Sequence, residues 1–87
     1  MNENLPNIAL IGLGLIGSSI AHAAKHYEVA SEIRGFDNSA EVCAEAKQIG
    51  LPIILADDIK ATVSDADIIF LAVPVGVMAR VVRQIIS

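Results

Sequence analysis

Four short aliphatic runs divide the chain, and each leads into a stretch with helical or helix-capping character. The first, residues 8–11, is apolar on both faces and ends at Gly12, as a central parallel strand would. A helix is predicted over 15–27, with Ile16, Ile20, Ala23, Ala24 and Tyr27 forming its apolar stripe. A second strand over 32–36 stops at Asp37. Asn38 or Ser39 then caps a second helix, with Glu41 three residues after Asn38 as in a capping box. Val42, Ala46 and Ile49 line that helix, and Gly50 stands where a left-handed C-cap is expected. Residues 52–55 form a short third strand, with Pro52 allowed only at its start. Asp57 and Asp58 can cap a short helix running to Val63. The fourth strand, 67–73, is the most hydrophobic and is ended by Pro74. A last helix over 76–86 places Val77, Val81 and Ile85 on one face and Arg80, Arg83 and Gln84 elsewhere.

Strands alternating with helices imply an α/β fold with a parallel sheet and right-handed crossovers. The expected arrangement is Rossmann-type: strand order 3-2-1-4, helices on both faces, and a fifth and sixth strand that do not follow before Ser87. On this reading 1–7 is a tail and 8–87 an incomplete dinucleotide-binding domain, whose fourth strand is left as an aliphatic edge. Such an edge is a template for association, so the 87-residue polypeptide is expected to self-associate.

Composition supports an aliphatic core. Hydrophobic residues make up 54% of the chain, and Tyr27, Phe36 and Phe70 are its only aromatics. The net charge is −4 and no Lys/Arg cluster exists, which argues against a nucleic-acid partner. Any phosphate must therefore be held mainly by backbone N–H groups. Cys43 is the only cysteine, so there is no disulfide framework and no cysteine-based zinc site, and it reads as a packing residue. The apolar runs are too short to span a bilayer. The first residues lack the basic, then apolar pattern of a signal peptide, so a cytoplasmic location is expected. His22 and His26, spaced i, i+4, have no third ligand in sight and imply no metal.

The candidate chemistry lies in three places. Gly12, Leu13, Gly14, Leu15, Ile16 and Gly17 match G-x-G-x-x-G. The motif is weak alone, but here it directly joins a strand to a helix. Gly12 would permit the tight turn, Gly14 would let backbone approach a pyrophosphate, and Gly17 would let the helix lie close to the first strand. The pyrophosphate would sit at the helix N-terminus. A plain glycine-rich turn is the alternative. Asp37 ends the second strand twenty residues after Gly17. A carboxylate there accepts hydrogen bonds from the adenosine ribose and repels a 2′-phosphate, so NAD is expected rather than NADP. No cation follows it in Asn38, Ser39, Ala40 or Glu41, and Arg34 falls on the opposite face. Its alternative role is to cap a helix. Val73, Pro74 and Val75 follow the fourth strand at the topological switch point and would meet the nicotinamide side, or else simply start a helix.

Together these residues resemble the opening of prephenate and arogenate (cyclohexadienyl) dehydrogenases. The likeness runs through residues 9–21, then Gly35, Phe36, Asp37, Asn38 and Ser39, then Ile49, Gly50 and Leu51. It continues through Asp65, Ala66 and Asp67 to 71–76. The resemblance implies the NAD-binding part of an enzyme that oxidises the ring hydroxyl of prephenate or arogenate, with hydride transfer to NAD, decarboxylation and aromatisation. It implies that Gly12, Gly14, Leu15, Ile16 and Gly17 contact the pyrophosphate, Asp37 the adenosine ribose, and Val73, Pro74 and Val75 the nicotinamide side. The family's catalytic histidine, its substrate-binding arginines and a helical dimerisation domain lie beyond this chain, which alone is expected to be inactive. The complete protein would be a homodimer in tyrosine biosynthesis, binding neither nucleic acid nor membrane. Another NAD(P)-dependent oxidoreductase of the same type, or a non-catalytic nucleotide-sensing or interaction module, remain open alternatives.

Overall fold

The computed structural model describes residues 5–86; Met1 to Asn4 of the expected tail, and Ser87, lie outside the described residues. The elements are β1 (Asn7–Ile11), α1 (Leu15–His26), β2 (Glu32–Phe36), α2 (Ala40–Gln48), β3 (Ile54–Leu55), α3 (Ile59–Val63), β4 (Ile68–Leu71) and α4 (Val75–Ile86). They build one sheet in the order β3-β2-β1-β4, parallel throughout. Asn7, placed in the tail by sequence, pairs with Glu32 and already belongs to β1.

β1 is the centre of the core. Ala9 and Leu10 are fully buried, and Ile8 and Ile11 nearly so. Strand alternation sends its side chains to two faces. Leu10 packs with Leu13, Ala21, Ala46 and Leu51, and Ile8 with Ala24 and Ile33. On the other face Ile11 packs with Ile59 and Val81. β4 occupies the end of the sheet, with Ile68, Ile69 and Phe70 each about 40% exposed.

The apolar stripe expected on α1 is only partly the face it buries: Ala24 is buried and Ile20 packs against the core, but the rest of the stripe is exposed. Gly17, Ala21 and Ala24 meet the sheet, whereas Ile16 and Tyr27 are exposed. The cause is the distance of approach. A Cβ on Gly17 would run into the Gly12 carbonyl, so the helix lies on the turn with its smallest side chains inward. On α2, Ala46 is buried but Ile49 is exposed; past the left-handed Gly50 (φ +68°) the chain turns back and Leu51 fills the core instead.

β3 is shorter than expected, since Ile53 N–H folds back onto the Leu51 carbonyl at 2.7 Å. β4 stops at Leu71, although Ala72 N–H still donates to the Ile11 carbonyl at 2.8 Å. Ser39 is the cap of α2, its hydroxyl accepting from Val42 N–H, so Asn38 and Glu41 form no capping box. Asp58 alone caps α3. α4 begins at Val75, one residue early, with Val81 buried and Ile85 packed beside it.

Replacing Gly17 by Val should destabilise the complete protein by about 3 kcal/mol, because a side chain there must push helix from turn. Denaturant unfolding would show this as a lower midpoint at unchanged slope; a midpoint equal to the parent's would refute the close contact.

Candidate functional site

The glycine turn between β1 and α1 is held from three directions. Gly12 sits at φ +104°, a conformation that side-chain-bearing residues rarely adopt, and a Cβ there would collide with the Ala72 carbonyl after β4. Its N–H donates to the Phe36 carbonyl at 2.8 Å. Gly17 closes the turn from the helix side. Asp37 closes it from β2: one carboxylate oxygen accepts from Leu13 N–H at 2.8 Å, the other from Ser39 N–H at 2.9 Å. The parallel register pairs Ile11 with Phe36, and so brings the next residue, Asp37, beside the turn.

Gly14 differs from the other two motif glycines. It is exposed, has φ −71°, and nothing lies within 4 Å of where its Cβ would stand. No side chain caps the α1 N-terminus and no acid occupies its first turn, in contrast to α2 with Ser39 and Glu41 and α3 with Asp58. The helical ladder starts with Ser18 N–H on the Gly14 carbonyl. The amides before it have no intrahelical carbonyl to bond, so an anion there would meet donors and the positive end of the helix dipole.

Leu15 and Val75, both 85% exposed, stand at the N-termini of α1 and α4 on either side of the β1–β4 junction. With Ile16 they form exposed apolar tips around the place where the two chain crossings diverge, the crevice in which open α/β sheets hold ligands.

A cleft of about 640 Å³ opens beside the turn, at the carboxyl ends of β1, β2 and β4. Gly12, Asp37, Val73 and Pro74 line it; Gly14, Leu15, Ile16 and Val75 lie outside it, and Gly17 is buried beneath the turn. Val73 also packs against the Ile11, Ile59 and Val81 cluster, so it serves the core as well as the wall. The sequence reading missed the rest of the wall. Phe36 and Asn38 come from β2 and its loop, Asp58 and Ile59 from the start of α3, and Val77, Arg80, Val81 and Gln84 from α4. The α4 set follows i, i+3, i+4, i+7, a spacing that would have revealed a shared face once the sheet order was fixed.

Arg34, outside the cleft, is committed to structure. Arg34 binds Glu32 at 2.6 Å, the Ala61 carbonyl at 3.2 Å and Asp65 at 3.5 Å, tying β2 to α3 and the following turn. Cys43, half-buried on α2, donates its thiol to the Asp37 carbonyl at 3.2 Å. His22 and His26 are exposed on α1, the latter edge-on to Tyr27. Among the described residues no three His, Cys, Asp or Glu side chains gather as a metal site, and no helix is long and apolar enough to cross a membrane.

Comparison with known proteins agrees with this geometry. A family model described as the nucleotide-binding domain of prephenate dehydrogenase matches residues 20–87. The chain belongs to that family. Among the family's curated members, it is 43% identical over 75 residues to a cyclohexadienyl dehydrogenase of Zymomonas mobilis, a match covering 86% of this chain and 26% of that protein. It is 41% identical over 81 residues to a prephenate dehydrogenase of Lactococcus lactis, covering 93% and 22%. The longer match leaves too few residues out to omit the glycine turn, although the family model begins after it. A prephenate dehydrogenase from A. aeolicus, solved in complex with hydroxyphenyl propionate and NAD+, shares the fold with a TM-score of 0.80 over 97% of this chain and 30% of that one, at 20% identity. The chain thus spans about a quarter of the length of the curated relatives it matches.

The tie between Asp37 and the turn predicts a measurable loss. Asp37→Ala leaves the Leu13 and Ser39 amides without their acceptor, costing about 1–3 kcal/mol. Hydrogen exchange at Leu13 should accelerate sharply. Unchanged protection there would mean the turn stands without the carboxylate.

Proposed function

We propose that this chain binds NAD and that the complete protein is a prephenate or arogenate dehydrogenase. The observation that carries the reading is the uncapped α1 N-terminus beside an open Gly14, next to a cleft with Asp37 at its rim. Gly14 leaves room where a pyrophosphate would lie, and the first-turn amides of Leu15, Ile16 and Gly17 would supply donors without a basic side chain. Asp37 uses one lone pair on each oxygen for the backbone, and each retains another to accept from a ribose hydroxyl. Its charge disfavours a 2′-phosphate, so NAD is preferred to NADP. Val73, Pro74 and Val75 guide the cofactor toward the β4 side, where its nicotinamide would meet the substrate.

NAD, when bound, supplies the acceptor for the hydride lost from the ring carbon that carries the hydroxyl, as the ring carboxylate leaves as carbon dioxide and the ring becomes aromatic. This chain's part in that reaction is to bind and orient. No residue within it takes a catalytic role, and His22 and His26 stand away from the cleft. The groups that hold the substrate and deprotonate its hydroxyl belong to the rest of the protein, which acts as a cytoplasmic homodimer.

Calorimetric titration of the complete protein tests the reading. NAD should bind more tightly than NADP, and Gly14→Val should abolish NAD binding while leaving the circular dichroism unchanged, since a Cβ there stands more than 4 Å from any protein atom beyond its chain neighbours. Tighter binding of NADP would remove the role given to Asp37. Unchanged NAD affinity in the variant would place the phosphates elsewhere.

The polypeptide of 87 residues, taken alone, should self-associate through β4, whose apolar residues are about 40% exposed and whose outer edge has no strand beside it among the described residues. Sedimentation at micromolar concentration should show assemblies; a single monomeric species would refute this.

A further inference from the structure

The cleft beside the glycine turn has a distinctive charge pattern. Its walls are aliphatic, from Ile59, Val77 and Val81, and two carboxylates, Asp37 and Asp58, stand at its rim. Both acids are already held by backbone donors: Asp37 by Leu13 and Ser39, Asp58 by Ala61 at 2.7 Å. Among the described residues, Arg80 is the one cationic side chain lining the cleft. It is exposed and makes no hydrogen bond or ion pair with the described residues. Arg34, by contrast, is fully engaged farther back along β2, by Glu32, Ala61 and Ser64. An arginine left free over an apolar cleft has its planar guanidinium available for a flat partner.

We propose that Arg80 is the residue that selects the base of the nucleotide, by stacking its guanidinium on the face of the adenine ring. The inference rests on the NAD-binding reading and adds a specificity determinant to it. The phosphates belong at the α1 N-terminus, outside the cleft, and the rim carboxylates disfavour a further phosphate inside it. What fits between aliphatic walls and a guanidinium plane is an uncharged aromatic ring, attractive to the cation through its π-face. Arg80 lies one helical turn beyond Val77 on the same flank of α4, so base and ribose are gripped from opposite sides of the cleft: Arg80 on α4, Asp37 at the end of β2.

The test separates stacking from simple charge attraction. Affinities of the complete protein for NAD, AMP and nicotinamide mononucleotide are measured for the parent, Arg80→Ala and Arg80→Lys. Both mononucleotides carry a 5′-phosphate, and only AMP carries the purine. Arg80→Ala should weaken AMP about tenfold and leave nicotinamide mononucleotide within about twofold, and Arg80→Lys, which keeps the charge without the plane, should recover little of the loss. Unchanged AMP affinity, equal weakening of both mononucleotides, or full recovery by lysine would each overturn the assignment while leaving NAD binding intact. Failure of the parent protein to bind NAD would instead overturn the dinucleotide reading on which it rests.

Discussion

The contact between the Gly12 carbonyl and Gly17 governs the rest of the structure. Two backbones approach there more closely than any side chain permits, so the first turn of α1 is fixed directly above the end of β1. Three consequences follow from that distance. The helix must turn its smallest residues, Gly17, Ala21 and Ala24, toward the sheet. The turn must adopt a positive φ at Gly12, pressed against the Ala72 carbonyl, which locks the end of β4 to the end of β1. The first amides of α1 are left without a side-chain cap, because neither Gly14 nor any first-turn acid supplies one. Packing and binding chemistry thus share one origin.

Asp37 is the second support, and on the proposed reading it joins structure to recognition in a single side chain. Its carboxylate completes the hydrogen bonding of the turn and still offers lone pairs to the cleft. The alternative that it caps α2 fails, since Ser39 holds that position. Loss of the acid therefore disturbs the glycine turn as well as any ribose contact, so the two roles separate only when turn rigidity and ligand affinity are measured independently.

The strand order and glycine spacing were legible in sequence because both depend on local pattern: aliphatic runs of strand length, each punctuated by Gly, Asp or Pro. The buried face of α1 was legible only in part, at Ile20 and Ala24. Counting apolar positions favours Ile16 and Tyr27, whereas close approach selects for small size, and those two side chains are exposed. Ile49 was misplaced for a related reason, since the left-handed turn at Gly50 hands its place to Leu51. The hold of Asp37 on Leu13 and the position of Arg80 depend on which strands lie side by side. The expected order supplied that, yet the pattern along α4 set Arg80 and Gln84 apart from Val77 and Val81, whereas the cleft gathers all four on one wall.

Amide chemical-shift mapping of the isotope-labelled protein during titration with NAD tests the central claim most directly. If the uncapped α1 N-terminus holds the pyrophosphate and the adjoining cleft takes the adenosine, the largest shifts fall on Gly14, Leu15, Ile16 and Gly17. A second set then appears at Asp37, Asn38 and the first two turns of α4. Saturable shifts confined to other parts of the sheet, with the residues of the glycine turn unmoved, would contradict the account.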